Sequence, residues 1–227
     1  MTKEHPHPSE NGGSGENVDK ETRDDGIARA TQAFLLYVAL PAWAIPGFAD
    51  WLCHRRSKIE RTSGTHESLT HALMMAVIGV PSLMALLLEI NASTLVALTA
   101  GCALHEAIVV WDVAYAADRR EVTTTEQHVH SFLEVLPFMS LSFVLCLHWD
   151  QVLGLFGKGP SRPSFAIRWK DNPIHPLYLG AIGTLLTGLV GLPYAEELVR
   201  CYRVDRTFLP HPRPPRNRLG ATSPGTA

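Results

Sequence analysis

The chain has 227 residues, 46% of them apolar, with a mean hydropathy close to zero and a formal net charge of −2, a size that accommodates one domain. So small a charge gives no reason to expect nucleic acid as a partner, and Cys53, Cys102, Cys146 and Cys201 form no CxxC pair, which argues against a disulfide framework or a zinc ribbon. The average hydropathy conceals a partition between two polar ends and an apolar middle.

From Met1 to Asp25 the chain is rich in Gly, Ser, Asn, Glu and Lys, and from Pro210 to Ala227 in Pro, Arg and Gly. Such compositions bury no core. Residues 1–27 and 204–227 are therefore expected as disordered tails around a membrane domain over 28–203. No cleavable signal peptide is expected, because the first apolar stretch is long enough to remain as an anchor.

Apolar segments follow near 30–52, 69–90, 92–117, 128–153 and 177–197. The first has no charged residue between Arg29 and Asp50, and the fifth has none between Asp171 and Glu196. About 20 such residues cross a hydrocarbon core as a helix. The expected fold class is all-α, a polytopic bundle of about five transmembrane helices. Pro41, Pro46, Pro81, Pro137 and Pro193 fall inside the spans and should each kink a helix or free a carbonyl. The segment from Gly157 to Pro176, which contains FAIRW, is expected as a partly interfacial element.

With five spans, the loops after the first and third share a side with the C-terminus. That side holds twelve of the 20 basic residues, namely Arg55, Arg56, Lys58, Arg61, Arg119, Arg120 and six arginines from Arg200 to Arg218. Lys and Arg accumulate on the cytoplasmic face of short loops. The N-terminus is expected outside and the C-terminus in the cytoplasm.

Four of the spans carry both a histidine and a carboxylate. ADWLCH ends the first with Asp50 and His54, and HESLTH opens the second with Glu67 and His71, each pair four residues apart and so on one helical face. In the third, HEAIVVWD returns His105 and Asp112 to nearly the same face, with Glu106 about a quarter-turn away. The fourth opens with EQHVHSFLE, where Glu126, His130 and Glu134 form a stripe. At about 1.5 Å per residue, Asp50, His71, Asp112 and His130 lie roughly 6 to 9 Å from the cytoplasmic boundary, and His105 and Glu134 about 15 to 18 Å.

Imidazole with carboxylate is the ligand set of iron, manganese or zinc, and bundles assemble such sites from inward-facing side chains on several helices. The candidate ligands are Asp50, His54, Glu67, His71, His105, Asp112, His130 and Glu134. Glu106 and Glu134 are the candidate catalytic carboxylates. Glu126 is read instead as the N3 member of a TTTE capping box, and His66 and His128 as helix-entry residues. Glu196 and Glu197 are set aside because Glu196 forms an i,i+4 pair with Arg200.

The run FADWLCHRRSKIERTSGTHESLTH, with EQHVHSFLE and LPYAEELVRC, resembles a group of small polytopic bacterial inner-membrane proteins. The resemblance covers about residues 30–203 and implies a membrane location without a reaction. In chemistry the arrangement is similar to the membrane fatty-acid hydroxylases and desaturases, whose histidines gather around two irons at the cytosolic helix ends. The chain departs from them in having no HxxxH or HxxHH, with carboxylates in place of several histidines. It is also similar to the ceramidase-like zinc hydrolases, whose ligand set His71, His105, His130 and Asp50 could reproduce.

The expectation is a metal-dependent enzyme acting on a lipid or other apolar substrate, with iron favoured and zinc the alternative cofactor. With zinc, Glu106 or Glu134 would serve as general base. The competing class is a non-enzymatic membrane protein, namely an ion or proton carrier, a haem-binding electron-transfer subunit using His71 and His130, or a sensor or assembly factor.

Overall fold

A computed structural model of the chain describes residues 13–160 and 162–210. Residues up to Leu40 form one unit, with helix α1, Gly13–Phe34, and a π turn, Leu35–Ala39. α1 begins inside the segment expected as a polar tail, where no proline interrupts a run of Glu, Lys, Asp and Arg. Residues 1–12 and 211–227 of the expected tails lie outside the described residues.

The second unit begins at Pro41. It holds α2 (Leu40–Ser57, all but its first residue), α3 (Gly64–Leu87), α4 (Ala92–Ala117), α5 (Thr124–Leu147), α6 (Trp149–Leu155), α7 (Pro176–Leu186) and α8 (Leu192–Asp205), with a second π turn at Thr187–Gly191. Among the described residues there is no strand, only an isolated bridge between Leu88 and Trp169. Five helical stretches are long and apolar enough to cross a membrane: Glu21–Ser57, Gly64–Leu87, Ala92–Ala117, Thr124–Leu147 and Pro176–Asp205. The chain is an all-α helical protein of the expected class.

Burial is inverted relative to a water-soluble bundle. Ile45, Val110, Trp111 and Phe138 are more than half exposed, while Asp50, His54, Glu67 and Glu126 are buried. Apolar side chains facing outward over the spans suit a lipid surround. Several hydroxyls on the spans return to their own helix, as Ser82 does to the Ile78 carbonyl and Thr99 to that of Leu95, which satisfies them without water.

Each π turn directly precedes a Leu-Pro pair, Leu40–Pro41 and Leu192–Pro193. Proline has no N–H and its ring crowds the carbonyl four residues back, and widening that turn relieves both problems. Pro46, Pro81 and Pro137 sit inside α2, α3 and α5. α3 packs against both α4 and α8. At the α3–α4 crossing a Cβ on Gly101 would lie 2.5 Å from the Val77 carbonyl oxygen, so the contact requires glycine.

Two span boundaries differ from expectation. α5 stops at Leu147, because His148 leaves helical geometry where Trp149 and Asp150 end the apolar run, and α6 starts afresh. The last span continues to Asp205, because Glu197 and Cys201 are buried rather than solvated. The Asp205 carboxylate accepts from the Thr65 N–H at 3.1 Å and so satisfies the first turn of α3.

The extended residues before Trp169 are strapped to the α3–α4 turn. Glu89 N–H donates to the Arg168 carbonyl at 2.9 Å, Lys170 N–H to that of Leu87 at 3.1 Å, and the Asn91 amide to that of Ala166 at 2.7 Å.

Candidate metal centre

One end of the second unit carries the 58–63 and 118–123 connections and the last turns of α8. There α2 supplies Asp50 and His54, α3 Glu67 and His71, α4 Asp112, α5 Glu126 and His130, and α8 Tyr194 and Glu197. All are buried except His130, which is partly buried. Helices of opposite direction place these groups in one layer, since each polar residue sits within a few turns of the same end.

Glu197 organises two of the histidines. Its Oε2 lies 2.9 Å from His54 Nδ1 and its Oε1 2.9 Å from His71 Nδ1. A carboxylate only accepts, so both Nδ1 atoms carry hydrogen and a neutral ring has a bare Nε2. Those Nε2 atoms nevertheless face carboxylate oxygens. His71 Nε2 is 3.2 Å from Asp112 Oδ2, and His54 Nε2 is 3.4 Å from both Asp50 Oδ1 and Glu126 Oε1. A lone pair held against an anion in a buried site calls for a cation between them, a proton or a metal ion.

Three groups, buried except for His130, have ligand atoms that converge within 4.8 Å and could hold a metal ion: Asp50, His54, Glu126 and His130; Glu67, His71 and Asp112; and His54, His71 and Glu197. Around them, His130 Nε2 meets Asp50 Oδ1 at 2.8 Å, the Tyr194 hydroxyl donates to Asp50 Oδ2 at 2.7 Å, and the Thr70 hydroxyl donates to Asp112.

Arg120 enters from the 118–123 connection and lies between Glu67 and Glu126. Its Nε donates to Glu67 at 3.2 Å and its Nη1 to Glu126 at 2.9 Å. Burial alone would lower its pKa, but hydrogen bonds to Glu126 and Glu67 and the charges of both raise it above the ordinary guanidinium value. It is a fixed positive charge at the edge of the cluster.

A cavity of about 330 Å³ opens on this layer. Asp50, His71, Asp112, His130 and Tyr194 line it at the cluster end, and Met74, Met75, Ile78, Val109, Leu133, Leu186 and Val190 provide apolar wall.

Of the residues expected from the sequence, Asp50, His54, Glu67, His71, Asp112 and His130 come together here. His105 and Glu134 line the cavity without joining a converging group, and Glu106 stands beside His105. His66 contacts the Tyr115 ring, and His128 is exposed against Phe132. Glu126 is a correction: Thr123 caps its N–H at 3.2 Å, but its carboxylate turns to Arg120 and the cluster, where a buried cation offers more than the N-cap amide. Glu197 is another. Glu196 does pair with Arg200 at 3.2 Å, while Glu197, one residue on, points into the bundle.

Comparison of the chain with protein-family models, with curated proteins and with solved structures finds no match.

Proposed function

We propose that the protein is a membrane-embedded metalloenzyme that binds a pair of divalent ions and acts on a lipid or other apolar substrate held in the cavity. The observation that carries this reading is that His54 and His71 each have carboxylates at both ring nitrogens, in a cluster whose Asp50, His71, Asp112 and His130 line a largely apolar cavity. Charge supports the pair. The buried acids Asp50, Glu67, Asp112, Glu126 and Glu197 outnumber the buried cation Arg120 by four with the imidazoles neutral, and two divalent ions neutralise that excess in a setting that does not tolerate it.

Asp50, His54, Glu126 and His130 would hold one ion, and Glu67, His71 and Asp112 the other, with Glu197 fixing the imidazole tautomers. Carboxylate-rich sets suit iron. Iron would activate dioxygen for oxidation of an apolar chain, with electrons from a reductase.

A zinc hydrolase is the second reading, favoured by one spacing. Ligand atoms on a tetrahedral ion with bonds of about 2.0–2.1 Å stand about 3.3–3.4 Å apart, which matches the 3.4 Å from His54 Nε2 to Asp50 and Glu126. The ion would then supply an activated water, and the cavity wall would position an ester or amide beside it.

The reading places the cluster at the cytoplasmic face of a bacterial inner membrane with the N-terminus outside. It is supported by the nine basic residues that gather at the cluster end among the described residues, Arg55, Arg56, Lys58, Arg61, Arg119, Arg120, Arg200, Arg203 and Arg206, and by the resemblance noted above. The test is elemental analysis of the detergent-purified full chain beside His54→Ala and His71→Ala. About two equivalents of iron or zinc per chain, lost in both variants, is the expected result. A folded wild type that binds neither metal overturns it.

A further inference from the structure

The cavity has a second polar position that the metal-binding groups leave unused. His105 precedes Asp112 by seven residues on α4, about 10 Å deeper at 1.5 Å per residue. It is 5% exposed and lines the cavity. Its Nδ1 is sealed and without a hydrogen bond, 3.5 Å from Glu106 Oε1, which is equally sealed and unpartnered. A small rotation joins them, with Nδ1–H donating to the carboxylate. Nε2 is then a bare acceptor and the nitrogen left to the cavity. Trp43 lines the same cavity.

A buried polar nitrogen is costly without a partner, and apart from Glu134 and Thr187 the wall on the inner side of the metal-binding layer is apolar. A ligand that supplies a donor at this depth satisfies it.

We propose that His105, oriented by Glu106, anchors a hydroxyl or amide N–H of a long-chain amphiphile whose apolar chain runs along the cavity toward the metal cluster. This names the substrate class and rests on the metalloenzyme reading. It sets the distance from the anchoring donor to the reacting carbon at about 10 Å. It also separates two residues that the sequence presents as a pair, since His105 meets the ligand and Glu106 positions His105.

The test uses the full chain in lipid nanodiscs and three probes: a long-chain alcohol brominated close to its hydroxyl end, because Trp43 precedes Asp50 by seven residues and so lies at the depth of His105, its methyl ether, and the matching bromoalkane. Quenching of Trp43, taken as the difference between wild type and Trp43→Phe, reports occupancy. The alcohol is expected to half-quench at about a tenfold lower concentration than the ether, the difference a single buried hydrogen bond makes. His105→Leu should abolish that preference with metal content unchanged, and His105→Gln, which keeps an acceptor, should retain most of it. Equal quenching by alcohol and ether in wild type, or a preference that survives His105→Leu, overturns the proposal. Alcohol preference that depends on His105 in a protein without metal would leave this site standing and remove the metalloenzyme reading alone.

Discussion

His54 and His71, from different helices, stack face to face with ring centroids 4.5 Å apart and planes 9° from parallel. One carboxylate imposes this, because each oxygen of Glu197 takes the Nδ1–H of one ring at 2.9 Å. Removing the charge while keeping the shape should loosen both rings together. Glu197→Gln is expected to weaken metal binding by about 10- to 100-fold, the usual effect of losing an outer hydrogen-bond partner of a ligating histidine. Competition against a chelator of known affinity measures it, and unchanged affinity would show that the rings are held by packing.

Arg120 carries the opposite risk. It is 6% exposed between Glu67 and Glu126, so Arg120→Met leaves two buried carboxylates without their cation. Breaking a buried ion pair by removing one partner costs about 3–5 kcal/mol. Thermal unfolding in detergent should show a large loss, and the combination Arg120→Met, Glu67→Gln, Glu126→Gln should recover much of it. A single variant as stable as wild type would mean that metal alone neutralises Glu67 and Glu126.

Gly101 tests the scaffold. A Cβ there meets a backbone oxygen of Val77 at 2.5 Å and the Pro81 ring at 2.9 Å, neither of which can give way cheaply. Gly101→Ala should force α3 from α4, lower the unfolding temperature by several degrees and disturb the cavity between them. At Gly180, where nothing lies within 4 Å, the same substitution should be nearly silent. Equal effects at both positions would discredit the close approach.

The spans were legible in the sequence because lipid dictates their length and composition, and the layer of Asp50, His71, Asp112 and His130 because helical rise and phase fix depth. What local spacing could not reveal depends on contacts across the fold. Arg120 lies 53 residues from Glu67 in sequence, and no pattern in the 118–123 connection marks it as buried. Glu126 satisfied a local rule at its N–H and a tertiary one at its carboxylate. Glu197 left a faint signal, since Glu196 has an arginine four residues on whereas Glu197 has Cys201 there. Tyr194, one helical turn before Glu197, lies on the same face.

His148, in the turn between α5 and α6, supplies a pH dependence far from the cluster. Burial lowers its pKa, the Lys170 charge lowers it further, and Glu89 offsets part of this. The folded protein therefore holds His148 neutral at pH values where the unfolded chain, with a pKa of about 6.5, has begun to protonate. Above that value neither state is charged and nothing is lost. As pH falls through it the unfolded state binds more protons than the folded one, so stability declines until the folded pKa is reached. The unfolding temperature of wild type should thus drop between about pH 7 and pH 5, and His148→Gln should flatten that part of the decline while leaving the higher-pH plateau in place. Parallel pH profiles for the two proteins would mean that His148 is solvated in the bilayer-bound protein.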